Sequence, residues 1–364
     1  MTIVYIVGAR PNFVKMAPVI SALKERLPIE RHVIVHTGQH YDREMSEIFF
    51  EELNVPEPAY LLGVGSASHA VQTARVMERL EPVLEKERPD LVIVAGDVNS
   101  TLAAALTTVK LGIPLAHVES GLRNFDRTMP EEINRVVTDE LSDHLFVHCE
   151  EAVENLRAEG IAEDRIHFVG NTMIDSLVAV EPRFRAAATA ERFGVEPGEY
   201  LLVTFHRPTL VDGPLLPVAM ERLRHTAHEL PVVFPVHPRT RKMLGGFESS
   251  QGILLTKPLG YIDFLSLEAD AAAVLTDSGG VQEETTFLGI PCFTLRESTE
   301  RPVTIHSGTN RLLGLDLERI DEIVPALAAG AASRPLPKHW DGRAAERLAN
   351  VLAPVLSDVH RASG

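Results

Sequence analysis

Two stretches of this chain repeat one plan. Gly96 to Ser120 reads G-D-V-N-S-T…K-L-G-I-P-L-A-H-V-E-S, and Thr276 to Ser298 reads T-D-S-G-G…F-L-G-I-P-C-F-T-L-R-E-S. In each, a short apolar strand breaks into a polar turn and a helix follows. L-G-I-P then closes the helix, and a second strand exits on Glu-Ser. A strand that must reach its parallel neighbour through a helix can be accommodated only in an α/β layer architecture. Two copies about half a chain apart therefore predict an α/β protein of two Rossmann-like domains facing each other across a cleft, with ligand loops at the strands' C-terminal ends.

The length agrees with that count. A chain of 364 residues exceeds one ordinary core and fits two. We expect a first domain over residues 1–175 and a second over 176–343, with a polar, arginine-rich helical segment at 181–198 between their cores. The amphipathic segment 344–364 is expected to form a helix that packs back onto the first domain. A net charge of -16 disfavours nucleic acid or an anionic membrane surface as partner, but a nucleotide needs only a local cationic pocket. Cys149 and Cys292 lie far apart without metal-ligand spacing, as free thiols in a reducing compartment would. The apolar start M-T-I-V-Y-I-V-G-A-R reads as a buried strand rather than a leader, and no run reaches membrane-spanning length. These features lead us to expect a cytoplasmic protein with no metal and no membrane partner.

The most informative stretch is Ala273 to Pro291, A-V-L-T-D-S-G-G-V-Q-E-E-T-T-F-L-G-I-P. A strand that turns through Ser278-Gly279-Gly280 into a helix offers free backbone N–H groups and a helix dipole to an anion, and the glycines permit close approach. Glu283 and Glu284 are placed in the first turn, where a carboxylate can accept from a pair of sugar hydroxyls. Near the N-terminus, Gly8-Ala9-Arg10-Pro11 follows strand Ile3–Val7, with Lys15 about one turn into the next helix. G-x-G-x-x-G is absent, which weakens a nicotinamide or flavin reading. Asp97, Glu119 and Glu131 all come from loops on one edge of the first sheet, and gathered carboxylates suit general acid/base chemistry. Asp97 could instead be a structural helix-start carboxylate. Thr128 and Glu131 have capping-box spacing, so Glu131 could simply close a helix start. In the second half, Leu201–Thr204 delivers His206 and Arg207, and Pro231–Val236 delivers His237 and Arg239.

Taken together, G-A-R-P…K-M-A-P at 8–18, G-D at 96–97, H-V-E-S-G-L-R at 117–123, P-E-E-I-N-R at 130–135, G-N-T-M-I-D at 170–175, H-R at 206–207, T-D-S-G-G-V-Q-E-E at 276–284, E-R-P at 300–302 and G-T-N-R at 308–311 span nearly the whole chain. With these motifs the sequence resembles the non-hydrolysing UDP-N-acetylglucosamine 2-epimerases. The resemblance implies the glycosyltransferase-B fold, a homodimer, and inversion at C2 of a UDP-sugar through a 2-acetamidoglucal, with no cofactor. It implies further that Arg10, Lys15, Arg135, His206, Ser278, Gly279, Gly280 and Arg301 contact the UDP-sugar and that Glu284 holds the ribose hydroxyls. Asp97, Glu119 and Glu131 would be the acid/base set, with His206 near the leaving phosphate.

The sequence also departs from the family pattern. Many members read G-T-R-P-E-x-I-K where this chain has Ala9, Asn12, Phe13 and Val14, and H-R-R-E-N where it has His206-Arg207-Pro208-Thr209-Leu210. Members activated by a second UDP-sugar read Q-H-x-Q after the second strand. Here Gln39-His40-Tyr41-Asp42 puts a carboxylate there, which argues against such activation. The divergent loop Asn124–Met129 leaves open a modified UDP-2-acetamido sugar as substrate. A hydrolysing epimerase releasing N-acetylmannosamine and UDP, a glycosyltransferase of the same fold, and a UDP-sugar-binding regulator without turnover compete with the epimerase for the same motifs.

Overall fold

The computed structural model describes residues 1–8, 10–38, 51–245, 249, 252–330 and 335–363, the side chains of Arg10 and residues 358–363 excepted. The chain forms two compact units, Met1–Ala179 with Lys338–Gly364, and Val180–Pro337.

The first unit is built on a seven-stranded sheet, β1 (Thr2–Val7), β2 (Arg31–His36), β3 (Tyr60–Leu61), β4 (Leu91–Ala95), β5 (Leu115–Val118), β6 (His144–Val147) and β7 (Ile166–Phe168). The strands lie in the order β3-β2-β1-β4-β5-β6-β7. Every pairing is parallel, with Val4 opposite Val33 on one side and Val92 on the other. Helices cover both faces, so the strands are apolar on both sides: Ile3 to Val7 and Leu91 to Ala95 are all buried. The helices needed below are α1 (Arg10–Arg26), α2 (His69–Glu87), α3 (Asn99–Lys110), α4 (Pro130–Leu141), α5 (Glu150–Ala158) and α6 (Thr172–Ala186). Lys24 and Arg26 fall in the last turn of α1, where their charge complements the helix dipole.

The C-terminal helix Ala344–Ser363 returns to this unit. Leu348, Leu352 and Leu356 recur every four residues and join Met16, Val19, Ile20 and Leu23 of α1 in one core. At roughly 1.5–3 kcal/mol for each fully buried leucine, this contact is a major share of what holds the terminus down. Three further ties lock the returning segment. The Asp175 carboxylate accepts from the Ala344 and Ala345 backbone N–H groups at 3.0 and 2.6 Å, and Trp340 Nε1 donates to the His148 carbonyl at 2.9 Å. Gly170, at φ +97°, lies so close to the His339 carbonyl that a Cβ would collide with it.

The second unit repeats the first sheet's topology. Its strands β8 (Leu201–Thr204), β9 (Val232–Pro235), β10 (Ile253–Thr256), β11 (Ala273–Thr276), β12 (Cys292–Thr294) and β13 (Asn310–Leu312) run in the order β10-β9-β8-β11-β12-β13. All pairings are again parallel. Helices α7 (Leu215–Thr226), α8 (Tyr261–Ala269) and α9 (Gly279–Leu288) flank it. The α/β, doubly Rossmann-like architecture expected from the echo is thus present in both halves. In each sheet the order reverses beside the first strand, between β1 and β4 and between β8 and β11, and such switch points are where open α/β sheets bind ligands. Among the described residues, no helix is long and apolar enough to cross a membrane.

Candidate active site

At the first unit's switch point, β1 leads towards α1 and β4 into α3 through Gly96-Asp97. Gly96 is in the left-handed region at φ +67°, and a Cβ there would stand 3.0 Å from Lys15 Nζ and 3.3 Å from Glu119 Oε2. Only glycine tolerates both that backbone and that crowding. Lys15 and Glu119 form a salt bridge with both side chains less than a tenth exposed. Glu119 itself has φ +67°, a conformation that costs a side-chain-bearing residue about 1–3 kcal/mol and persists where surrounding contacts enforce it. Asn12 ties the same corner together by donating to the Ala95 carbonyl at 2.7 Å.

Asp97 is held by Arg135 of α4 at 2.6 Å, and Asn134 donates to the Asp97 carbonyl at 2.8 Å. Arg135 is buried and also pairs with Glu132. Glu132 in turn accepts from the Asn124 and Phe125 N–H groups, each at 2.9 Å, so one carboxylate both seats the arginine and anchors the loop before α4. Behind this layer His117 donates from Nδ1 to the Asp139 carboxylate at 2.7 Å, and its Nε2 lies 2.8 Å from the Gly96 carbonyl. Burial pushes the Asp139 carboxyl up, but His117 and Arg123 more than offset it and leave Asp139 below the ordinary carboxylate value.

The second unit's switch point is built differently. Asp277 follows β11, fully buried, and its carboxylate accepts from the backbone N–H groups of His206 and Arg207 at 2.9 and 2.8 Å. His206 Nδ1 lies 2.8 Å from the same carboxylate. Burial raises the Asp277 carboxyl, yet His206 and the two N–H donors bring it below its ordinary value. The other ring nitrogen is left for whatever occupies the site, since the His206 side chain is 44% exposed. Ser278 is the N-cap of α9. Gly279 is pressed against Arg301, whose guanidinium a Cβ would overlap. Arg301 pairs with Glu300 and lies 3.2 Å from Glu283. Burial also raises Glu300, but Arg301 and Arg296 outweigh it and hold that carboxyl well below the ordinary range.

Within the first unit the fold thus joins Lys15 to Glu119 and Asp97 to Arg135, and within the second His206 to Asp277 and Arg301 to the glycine turn. Glu131 stands at the start of α4, and the Arg10 side chain and Gln39-His40-Tyr41-Asp42 lie outside the described residues.

Two expectations need correction. The N-cap of α4 is Met129, not Thr128; the Thr128 hydroxyl donates instead to Asp126 at 2.6 Å, so no Thr128–Glu131 capping box forms. Proline at the first helical position sets that start one residue later. Glu283 and Glu284 lie beyond the first turn of α9, which begins at Gly279 and has no acid there. Glu284 is 5% exposed and accepts from the Tyr261 hydroxyl at 3.1 Å. The sequence reading missed the parts played by Asp277, Glu132, Glu300 and Tyr261. Asp277 alone left a signal, as the acid immediately after an apolar strand.

Among the described residues no His, Cys, Asp and Glu side chains cluster as a metal site would require. A family model for UDP-N-acetylglucosamine 2-epimerase matches residues 22–353. The chain is 42% identical to the UDP-N-acetylglucosamine 2-epimerase of Methanocaldococcus jannaschii, covering 97% of this chain and 99% of that one. It is 39% identical to the UDP-2,3-diacetamido-2,3-dideoxy-D-glucuronate 2-epimerase of Pseudomonas aeruginosa, again over 97% and 99%. The crystal structure of the M. jannaschii enzyme in complex with UDP-GlcNAc and UDP superposes with a TM-score of 0.88 at 40% identity, covering 97% and 99% of the two chains. Full-length similarity of this degree, on two sheets of the same order, means that this chain belongs to the UDP-N-acetylglucosamine 2-epimerase family.

Proposed function

We propose that this protein is a non-hydrolysing UDP-N-acetylglucosamine 2-epimerase. It would interconvert UDP-GlcNAc and UDP-ManNAc by eliminating UDP and adding it back across a 2-acetamidoglucal. The observation that carries the reading is the first switch point, where Asp97 and Glu119 stand at the ends of β4 and β5, each fixed by its own cation.

A sugar C2–H is a very weak acid. Its proton leaves only if a carboxylate takes it while the departing pyrophosphate finds positive charge and oriented N–H donors. Inversion also needs a proton relay on each face of the ring, so one carboxylate would not serve. Arg135 and Lys15 fix the orientation of Asp97 and Glu119, which is the preorganisation such a transfer requires. Glu131, one turn before Arg135 on α4, completes the acid/base set. In the second unit, the glycine-lined start of α9, Arg301 and His206 would take the pyrophosphate and Glu284 the ribose; the first unit carries its own cationic groups, Arg10 and Lys15. The Asp277 carboxylate would hold the His206 ring in one orientation, with its other nitrogen presented to the leaving phosphate.

A 2-acetamido sugar carrying further substituents is a second reading. It is favoured by the P. aeruginosa relative named for a diacetamido uronate, and by Phe125, which is 74% exposed at φ +63° in the loop before α4. The deciding experiment incubates the protein with UDP-GlcNAc in deuterated buffer and follows the ring protons by NMR. Deuterium at C2 with appearance of the manno isomer supports the epimerase, and free UDP with free sugar indicates hydrolysis. Binding without exchange overturns both.

A further inference from the structure

Glu268, the eighth residue of α8, is fully buried, and neither of its carboxyl oxygens has a hydrogen-bond partner among the described residues. Nothing in the chemistry above uses it. Seven residues earlier on the same helix, Tyr261 donates its hydroxyl to Glu284 at 3.1 Å. Residues seven apart share a helix face, and α8 packs on α9, so Tyr261 and Glu268 both turn towards the helix that carries Glu284.

Among the described residues, the titratable groups that act on or feel Glu268 are Glu284 from α9, the Cys292 thiol from β12 and the Tyr200 phenol just ahead of β8. None of them can carry a positive charge. Arg192, from the short helix Thr189–Arg192 packed on α8, is spent on Asp263 at 2.7 Å. An ionised carboxylate without donor or counter-ion is far costlier in such a place than a protonated one. Burial accordingly raises the Glu268 carboxyl well above its ordinary value of 4.5, and the charge of Glu284 adds to the effect. Two neighbouring carboxyls in a dry site cannot both ionise easily. Of the two, Glu284 has the Tyr261 hydroxyl as donor, and Glu268 has none among the described residues.

We infer that Glu268 is a neutral carboxylic acid and a positioning residue for Glu284, keeping that side chain a singly charged, fixed acceptor for the vicinal diol of a bound nucleotide. The inference rests on the reading that Glu284 takes the ribose hydroxyls. Ionising Glu268 brings a second negative charge to the pair. Glu284 must then turn away or take up a proton, and either change weakens its grip on a diol.

The test uses the full-length protein and UDP as probe, with affinity measured calorimetrically from neutral to alkaline pH. Wild type is expected to lose about tenfold in affinity or more as Glu268 ionises, one pKa unit of coupling being worth a factor of ten. Glu268→Gln stays neutral at every pH. It should match wild type near neutrality and keep its affinity further into alkali; the uracil ring's own deprotonation is common to both. Infrared spectra of protein with isotope-labelled glutamate should show a protonated carboxyl band at neutral pH in wild type that Glu268→Gln lacks. Thermal melting gives a third readout. A carboxyl whose folded value lies above 4.5 costs stability progressively as pH rises past that point, so Glu268→Gln, or Glu268→Met, should gain on wild type with rising pH.

An equal alkaline loss in Glu268→Gln, or no protonated band, overturns the inference. Glu284→Gln separates it from the reading beneath it. If that change leaves UDP affinity intact, the ribose assignment fails whatever the infrared band reports about Glu268.

Discussion

The Asp277 carboxylate lies 2.8 Å from the His206 ring nitrogen and accepts the backbone N–H of the same histidine at 2.9 Å. One buried acid therefore fixes both the ring and the strand end that carries it. Such a clamp sets the tautomer of a histidine and presents its free nitrogen in one direction.

Asp277→Asn should therefore reduce turnover more than substrate affinity. The amide keeps the backbone contacts in part but no longer offers the ring nitrogen a carboxylate, and we expect kcat to fall by about 10²-fold, within the range for loss of acid/base function. Steady-state kinetics with UDP-GlcNAc checks this, and an effect confined to KM would count against it.

The same residue makes a prediction about acid stability. Asp277 and Glu300 have folded-state values below their ordinary ones of 3.8 and 4.5. Their stabilisation is complete above those values and is lost as pH falls through the lower, folded ones. Urea midpoints measured down through this acid range should drop more steeply in wild type than in Asp277→Asn.

Asp97→Asn and Glu119→Gln should each lose at least ~100-fold in rate while still binding UDP, because the nucleotide contacts are assigned to other side chains. Solvent deuterium exchange at C2 is the more telling readout, since it reports proton abstraction even when product does not accumulate. Wild-type exchange in both variants would remove these carboxylates from the chemistry.

Arg301 is 5% exposed between Glu300 and Glu283. Removing it takes a cation from buried Glu283 and leaves Arg296 as the guanidinium on Glu300, so Arg301→Ala should destabilise the fold by up to about 3–5 kcal/mol besides any loss of affinity. Equilibrium unfolding of the unliganded protein tests the structural part by itself.

Gly170→Ala should disturb the return of the C-terminal helix. Its φ of +97° and the adjacent His339 carbonyl leave no room for a Cβ, and forcing one in costs typically ~1–3 kcal/mol. A lower Tm with earlier proteolysis near residue 339 is the expected result.

Much of the architecture was legible because parallel strands buried on both faces declare themselves. Leu91–Ala95 is an uninterrupted apolar run and Leu201–Thr204 is apolar up to a β-branched threonine, and the structure gives strands with those very limits. Polar residues at the C-terminal ends of such runs stand out for the same reason, which is how Asp97, Glu119 and His206 came into view. Glu131 and Glu284 show where local patterns fall short: the capping-box spacing sets the N-cap one residue before Met129, and the Ser-Gly-Gly turn sets the helix start two residues after Gly279. Local spacing registers a helix but not which residue caps it, because propensity near a helix end is flat over a residue or two.

By itself, then, the sequence determined the two α/β halves, the polar strand ends and the family, since all three are written in local runs and short motifs. Tertiary structure alone decided the partners. Lys15 meets Glu119 across 104 residues, and Tyr261 meets Glu284 across 23. The first pairing exists because the sheet order sets β4 and then β5 on the side of β1 away from β2 and β3, which brings the end of β5 towards α1. A chain read end to end does not reveal which strands are neighbours, nor which buried acid is left with a cation and which with only a proton.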